Sequence, residues 1–246
     1  MSKKLNLCKD YPYAYETHLH TSRASACGKS TPEEMAFACK EAGYTGIFVT
    51  EHFFYGNTSI DRNLSWEDWV EGYCQGYEQA KKVGDKIDLQ VFFGWESSYQ
   101  GTDFLIYGLD KDWLIAHPQI KDASIEEQYA LVHADGGMVI HAHPFRVEFY
   151  IPEIRLFPEF VDGVETLNAS HLPKFGDLAG NSFDSLAETY AKKHDFPRTG
   201  GSDIHSVDLF GGGMAFQNKL NDVQDFISAV KNRSGILLPL EPAFIV

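Results

Sequence analysis

Residues 16–21 read E-T-H-L-H-T, with His18 and His20 one residue apart just after the strand-like run Y-A-Y at 13–15. Side chains on a strand alternate faces, so residues i and i+2 point the same way and two imidazoles converge on one point. Similar groups recur downstream: Glu51 with His52, Glu96 after V-F-F-G-W, His141 with His143, and Asp203 with His205. Neutral imidazole and carboxylate are natural ligands for Zn²⁺, Mn²⁺ and Fe²⁺. One zinc needs only four such groups, so this many suggests two or three divalent ions with a bridging carboxylate such as Glu96. Paired ions about 3.5–4 Å apart can hold both the attacking and the leaving oxygen of an in-line displacement at phosphorus. Water bound to such an ion ionises near neutral pH, so the nucleophile comes ready-made.

Each group also has a plainer reading. His143 before Pro144 can be a loop histidine, and Asp203 can be a helix N-cap. A carboxylate at Glu96, after an apolar run, is costly without a partner, which favours ligation. What sets the pattern apart is its placement along predicted elements. Strands are expected at 43–52, 88–96, 103–109, 137–143, 161–168 and 198–203, besides the first one. T-P-E-E at 31–34 and S-I-E-E at 124–127 have the form of capping boxes, Pro32 taking the first helical position. Further helices are expected near 66–83, 182–194 and 222–232. Strand–helix alternation with short connections predicts a parallel sheet, open or closed into a barrel. In such folds chemistry gathers where strands end, and five predicted strand ends carry metal-ligand side chains.

Bulk composition narrows the function classes. The chain has 246 residues, 43% hydrophobic and 23% charged, with no linker-like tract and no repeat, so a single domain over 1–246 is the simplest reading. A formal charge of −14 argues against nucleic acid as a stable partner, although a local cation cluster can still receive a small anion. Cys8, Cys27, Cys39 and Cys74 form no C-x-x-C pair and read as reduced thiols. With no signal-like segment and no apolar run near the ~20 residues of a membrane span, the cytoplasm is the expected compartment, with no membrane partner.

With these residues in place, the chain resembles the PHP (polymerase and histidinol phosphatase) superfamily. The resemblance rests on H-L-H-T (18–21), T-E-H (50–52), G-W-E (94–96), A-H-P (142–144) and G-S-D-I-H (201–205), in the family's order and across essentially the whole chain. It implies a distorted (β/α)7 barrel, TIM-like and α/β, with up to three metals at its carboxyl face and, in most members, phosphoesterase activity. By this resemblance His18, His20, Glu96 and Asp203 hold the first metal, Glu96 bridges to a second that His143 also binds, and His52 and His205 belong to a third. Three positions depart from the pattern. Glu51 stands where an aspartate is usual. Ala26 replaces a histidine of trinuclear members, so the third site is either weak or recruits another ligand. Asp103 replaces another histidine, as a substitute carboxylate or a sign of an incomplete second site.

Other residues complete the reading. On a strand His141 shares a face with His143, as ligand, outer hydrogen-bond partner or catalytic proton donor, or else it is a core histidine. Arg146 is expected to grip a substrate phosphate with two parallel hydrogen bonds and so to serve catalysis. Arg23 and Asp103 are further substrate-contact candidates, and Lys29 is an even choice. His171 reads as a loop histidine and Cys27 as a small buried thiol, while Tyr55, Trp66 and Tyr99 could wall a pocket. The expected reaction is hydrolysis of a small phosphate ester, histidinol-phosphatase-like. The rivals are a metallohydrolase acting on a non-phosphate substrate and a degenerate metal- or phosphate-binding member without catalysis.

Overall fold

The computed structural model describes residues 4–171, 179–208 and 211–238. Strand β1 (Tyr13–Leu19) leads through α1 (Pro32–Ala42) to β2 (Gly46–Val49), and α2 (Trp66–Ile87) returns the chain to β3 (Gln90–Tyr99). A hairpin joins β3 to β4 (Thr102–Tyr107), and α3 (Lys111–Ala116) and α4 (Ile125–Ala134) precede β5 (Met138–Ala142). Then come β6 (Gly163–Asn168), α5 (Ala179–His194), β7 (Arg198–Gly201), β8 (Gly213–Phe216), α6 (Val223–Lys231) and β9 (Ile236–Leu238). The capping boxes form as read: Thr31 and Glu34 bond reciprocally at α1, Ser124 and Glu127 at α4.

These strands make one sheet in the order β7-β6-β5-β4-β3-β2-β1-β8-β9. Its two sides curl together where Leu19 forms a parallel bridge with Ile204, beyond β7, and the His20 amide donates to the Ile204 carbonyl at 2.9 Å. Strands β1 to β7 therefore form a nearly closed, distorted barrel of the expected seven-stranded kind. β8 pairs with the first residues of β1, and β9 continues outward from it. Sequence reading gave no sign of β8, β9 or α3, which are short. No helix among the described residues is long and apolar enough to cross a membrane.

The sheet is mixed, not parallel as expected. β4 runs antiparallel to both neighbours, because only Gln100 and Gly101 separate it from β3. Both residues have positive φ, 51° and 84°, as a two-residue hairpin turn requires, whereas a parallel partner needs a long crossover. Glu96 consequently lies inside β3 rather than at its end. It still reaches the barrel rim, since the parallel ladder to β2 stops at Phe93 and only a bridge from His52 continues to Glu96.

Tyr15, Phe48, Leu105, Tyr107, Met138 and Ile140 point inward and pack against Phe226 of α6, filling the barrel below the site. Outward residues of the same strands, such as Ile47, Val49 and Val91, pack under α1 and α2. Helix α2 also touches the rim. The Glu51 carboxylate is buried beside it, accepting from the Thr21 amide, the Thr21 hydroxyl and the Ser25 hydroxyl. A Cβ at Gly76 of α2 would lie 2.5 Å from Glu51 Oε1. The longer carboxylate at the motif's usual aspartate position thus depends on a glycine one helix away.

Glycine-to-alanine changes inside helices normally stabilise by up to about 1 kcal/mol. Gly76→Ala should instead destabilise by about 1–3 kcal/mol through the clash with Glu51. Thermal unfolding checks this, and Glu51→Asp in the same chain should recover part of the lost Tm.

Candidate metal centre at the barrel mouth

His18 reaches the centre through a β-bulge. Glu16 pairs with Ile47 and Leu19 with Val49, so Thr17 and His18 together oppose the single inward residue Phe48. Simple alternation from the inward Tyr15 would have sent residue 18 outward; the extra residue re-aims it. His20 follows just beyond the strand with its ring centroid 5.1 Å from that of His18.

The outer hydrogen bonds of the two rings fix which nitrogen carries the proton. His18 Nδ1 lies 2.9 Å from Glu165 Oε1, so this nitrogen carries the proton and donates. The Ser25 hydroxyl donates to Glu51 at 2.6 Å and accepts from the His52 amide at 3.0 Å. Its remaining contact, His20 Nδ1 at 3.2 Å, must therefore be a donor. In both neutral rings Nε2 is left as a lone pair facing inward, as a metal ligand requires. His18 Nε2 meets Glu96 Oε1 at 3.2 Å and Asp203 Oδ1 at 3.6 Å, and His20 Nε2 meets Asp203 Oδ1 at 3.4 Å. None of these contacts has hydrogen-bond geometry, and both nitrogens are buried without a partner.

The carboxylate side of the centre is built by Glu96, Asp103 and His143. His143 Nε2 lies 3.0 Å from Glu96 Oε1 and 4.0 Å from Asp103 Oδ2, and Ser98 holds Asp103 at 2.6 Å. His143 (φ 26°) and Asp203 (φ 51°) both adopt positive φ, rare for non-glycine residues and frequent at functional sites. Asp203 accepts from Arg146, whose guanidinium also donates to Ser170 Oγ at 3.0 Å and to His171 Nε2 at 2.9 Å. His171 is fixed in turn by Asp184 at 2.8 Å. Expected as a loop histidine, it is buried and positions the arginine.

On the opposite side His20, His52 and His205 place ligand atoms within 4.8 Å of one another. His52 Nδ1 is 2.6 Å from Glu96 Oε2, again without hydrogen-bond geometry, and its Nε2 is 3.2 Å from Cys27 Sγ. Burial would raise the Cys27 thiol, but hydrogen bonds from His205 and His52 bring it down to about 6. A cavity of about 440 Å³ opens over the cluster, lined among others by Cys27, Tyr55, Glu96, Asp103, Arg146 and Tyr150. Cys27 therefore faces the site instead of lying in the core.

Two expected site residues are placed elsewhere. Met138 and Ile140 of β5 point into the barrel, so His141 points out, stacking on Phe104 and facing Tyr190 of α5. Burial and the nearby His143 charge lower it to about 3, so it stays neutral. It parts from His143 because β5 ends at Ala142, and the turn at positive φ cancels the alternation. Arg23 is exposed and bonds Gln75 of α2, away from the cavity. Trp66 packs on Trp69 and bonds the Leu114 carbonyl, while Tyr99 packs on Phe157.

Sequence reading missed Glu165. Its carboxylate takes the His18 Nδ1 proton, the His143 amide at 3.1 Å and the Asn168 amide group at 3.0 Å. Gly201 makes room for it, since a Cβ there would lie 2.7 Å from Glu165 Oε1 and 2.5 Å from His18 Cβ. The available signal was an acid inside V-E-T-L-N, a strand otherwise free of charge.

Four buried or part-buried acids, Glu96, Glu165, Asp103 and Asp203, thus crowd around imidazole lone pairs, with Arg146 the cation in contact. That arrangement fits divalent cations. Without an ion, protons must take the cation's place. Burial pushes His18 down, yet the charges of Glu165, Asp203 and Glu96 outweigh it and lift it well above the usual value; Glu96 does the same for His52. Burial and the neighbouring His52 and His205 push His20 well below, so it stays a neutral donor. Metal binding at neutral pH should therefore release protons from His18 and His52, and affinity should climb as pH rises. Calorimetry in buffers of different ionisation enthalpy measures this. Glu165→Gln, which removes the negative charge behind His18 and one of the two acceptor oxygens, should weaken metal binding about 10–100-fold by chelator competition while the fold persists.

A family profile described as PHP-associated matches residues 183–234, from α5 to just past α6. No curated protein matches the sequence significantly. Among solved structures, a two-domain protein from Bacteroides vulgatus containing a predicted PHP-like metal-dependent phosphoesterase aligns with TM-score 0.68 and 14% identity, over 96% of this chain and 68% of that one. PsfC from Pseudomonas syringae aligns with TM-score 0.57 and 19% identity over 88% of each chain. An amidohydrolase from Chromobacterium violaceum, with bound sulfate and no metal, aligns with TM-score 0.52 and 14% identity over 78% of this chain and 87% of that one. The profile match over residues 183–234 and the shared fold agree with the PHP resemblance that the five motifs carry.

Proposed function

We propose that this chain is a metal-dependent hydrolase of a small phosphate ester, acting with two or three divalent ions. The observation that carries the reading is the set of imidazole lone pairs and carboxylates that meet off-axis, without hydrogen-bond geometry, beneath an open cavity. His18, His20, Glu96 and Asp203 would hold one ion, Glu96, His143 and Asp103 a second, and His52 and His205 a third. Such ions, when bound, polarise a phosphoryl group and acidify water.

The chain's own groups do the rest. Glu165 and Ser25 hold the Nδ1 protons of His18 and His20, so Nε2 is the nitrogen left to bind an ion once His18 gives up its second proton. Arg146 sits at the cavity wall, its guanidinium braced by His171 and Ser170, where it can meet a phosphate oxygen. A positive group in a strongly acidic centre is what an anionic substrate needs and what a neutral amide does not. The substrate partner is therefore a small phosphorylated molecule. Four free thiols fit a reducing compartment such as the cytoplasm.

The test is a screen of phosphate esters and of amides with ion-free protein reloaded separately with zinc, manganese or iron. Phosphate release that needs the ion is expected. Glu96→Gln and Asp203→Asn should each lower kcat by at least about 10²-fold, as loss of a transition-state contact does. Arg146→Ala should cost about 10–100-fold in kcat/KM toward phosphate esters, the worth of a charged hydrogen bond. Amide turnover unaffected by Arg146→Ala would move the assignment to a carbonyl substrate. Metal below one equivalent with no turnover would make the protein a non-catalytic binder.

A further inference from the structure

We propose that Cys27 is a thiolate ligand to the ion held by His52 and His205, making this corner of the centre a sulfur-bearing site that favours zinc over manganese. The proposal rests on the metal-binding reading above and adds a ligand to it.

The three imidazoles are stacked closely, His20 with His52 at 4.1 Å and with His205 at 4.5 Å between centroids. His20, fully buried, backs both rings, its own Nε2 turned to Glu96 and Asp203 of the neighbouring site. Cys27 closes the open side. Its Sγ lies 3.2 Å from His52 Nε2, and it lines the cavity together with His205. Nitrogen and sulfur ligands on one tetrahedral zinc, at bond lengths of about 2.0 and 2.3 Å, stand about 3.5 Å apart.

The loop holds the thiol in that position. The Ala26 amide donates to the Asn57 carbonyl at 2.8 Å, the Gly28 amide to Ser25 at 3.0 Å, and the Lys29 amide to the His205 carbonyl at 2.7 Å. A Cβ at Gly28 would fall 2.2 Å from the Thr21 carbonyl oxygen, so the backbone is packed against the His18–His20 turn. Lys29 and His205 are thus tied by backbone, and the ligand loops cannot drift apart independently. Thiolate is a soft donor that zinc accepts and manganese disfavours, in contrast to the carboxylate side of Glu96 and Asp103. Binding transfers the thiol proton to solvent as the metal–sulfur bond forms, with no change of oxidation state.

The test uses cobalt(II) as a spectroscopic stand-in for zinc in the whole chain. Cobalt-loaded protein should display a near-ultraviolet sulfur-to-cobalt charge-transfer band. Cys27→Ser should lose that band while keeping the visible cobalt bands of the remaining sites, and Cys8→Ser should keep it. Zinc affinity of the weakest site, by chelator competition, should fall in Cys27→Ser by at least the roughly 10–100-fold seen for partners one shell further out, with manganese affinity little changed. Stoichiometric cobalt by elemental analysis without the band, or a band that survives Cys27→Ser, would overturn the sulfur ligand and leave the metal centre intact. Failure to bind cobalt at all would overturn both.

Discussion

A buried carboxylate facing an imidazole lone pair is repulsive, and this barrel mouth contains several such encounters in one small volume. Taking charge out of water is expensive unless an opposite charge or a full set of donors answers it. The outer nitrogens of His18 and His20 are committed, donating to Glu165 and Ser25, so each neutral ring turns a lone pair inward. Protons satisfy the acids imperfectly, since the nitrogen–oxygen contacts are off-axis. Ions larger than a proton, placed between the groups, satisfy all of them at once. The architecture of the site follows from that requirement.

The fold meets it with local irregularities. A bulge in β1 turns His18 inward, positive-φ turns aim His143 and Asp203, and a hairpin inserts β4 antiparallel so that Asp103 faces His143. Glycines clear the space these need. Behind the cluster a ring of acids acts on the loops: Glu51 ties the residues around the His18–His20 turn, and Glu16 takes amide protons of His18 and Ser202 across the barrel seam. Burial lifts Glu16 to about 7 despite those bonds. These acids hold the geometry on which the ligands depend.

The centre is chemically uneven. One side carries Glu96, Asp103 and Asp203 with Arg146 at the wall, a setting for hard ions and an oxyanion. The other carries three imidazoles and a thiol, a setting for a softer ion. On the proposed reading an acidic protein receives an anionic substrate at one edge, because bound cations and a braced arginine, not net charge, would set the field inside the cavity.

The ligand types, their order and the helix caps were legible in the sequence, because they rest on local chemistry: imidazole and carboxylate choose metals, and Thr31 and Ser124 cap with the acids three residues on. Strand–helix alternation left the sheet open or closed, and closure into a barrel was implied only by the family resemblance. Direction was not legible: His141 and His143 look equivalent by spacing, yet one faces Phe104 and the other Glu96, because the strand ends between them. Arg23 and Arg146 look equally near the motifs, yet only the second is held by His171, itself positioned by Asp184. Glu165 and Cys27 carried no periodic signal, and their roles exist only where distant segments meet. The chain's residue types determined what could bind; bulges, turns and long-range packing decided which side chains point at the same place, because pointing depends on backbone geometry that spacing does not encode.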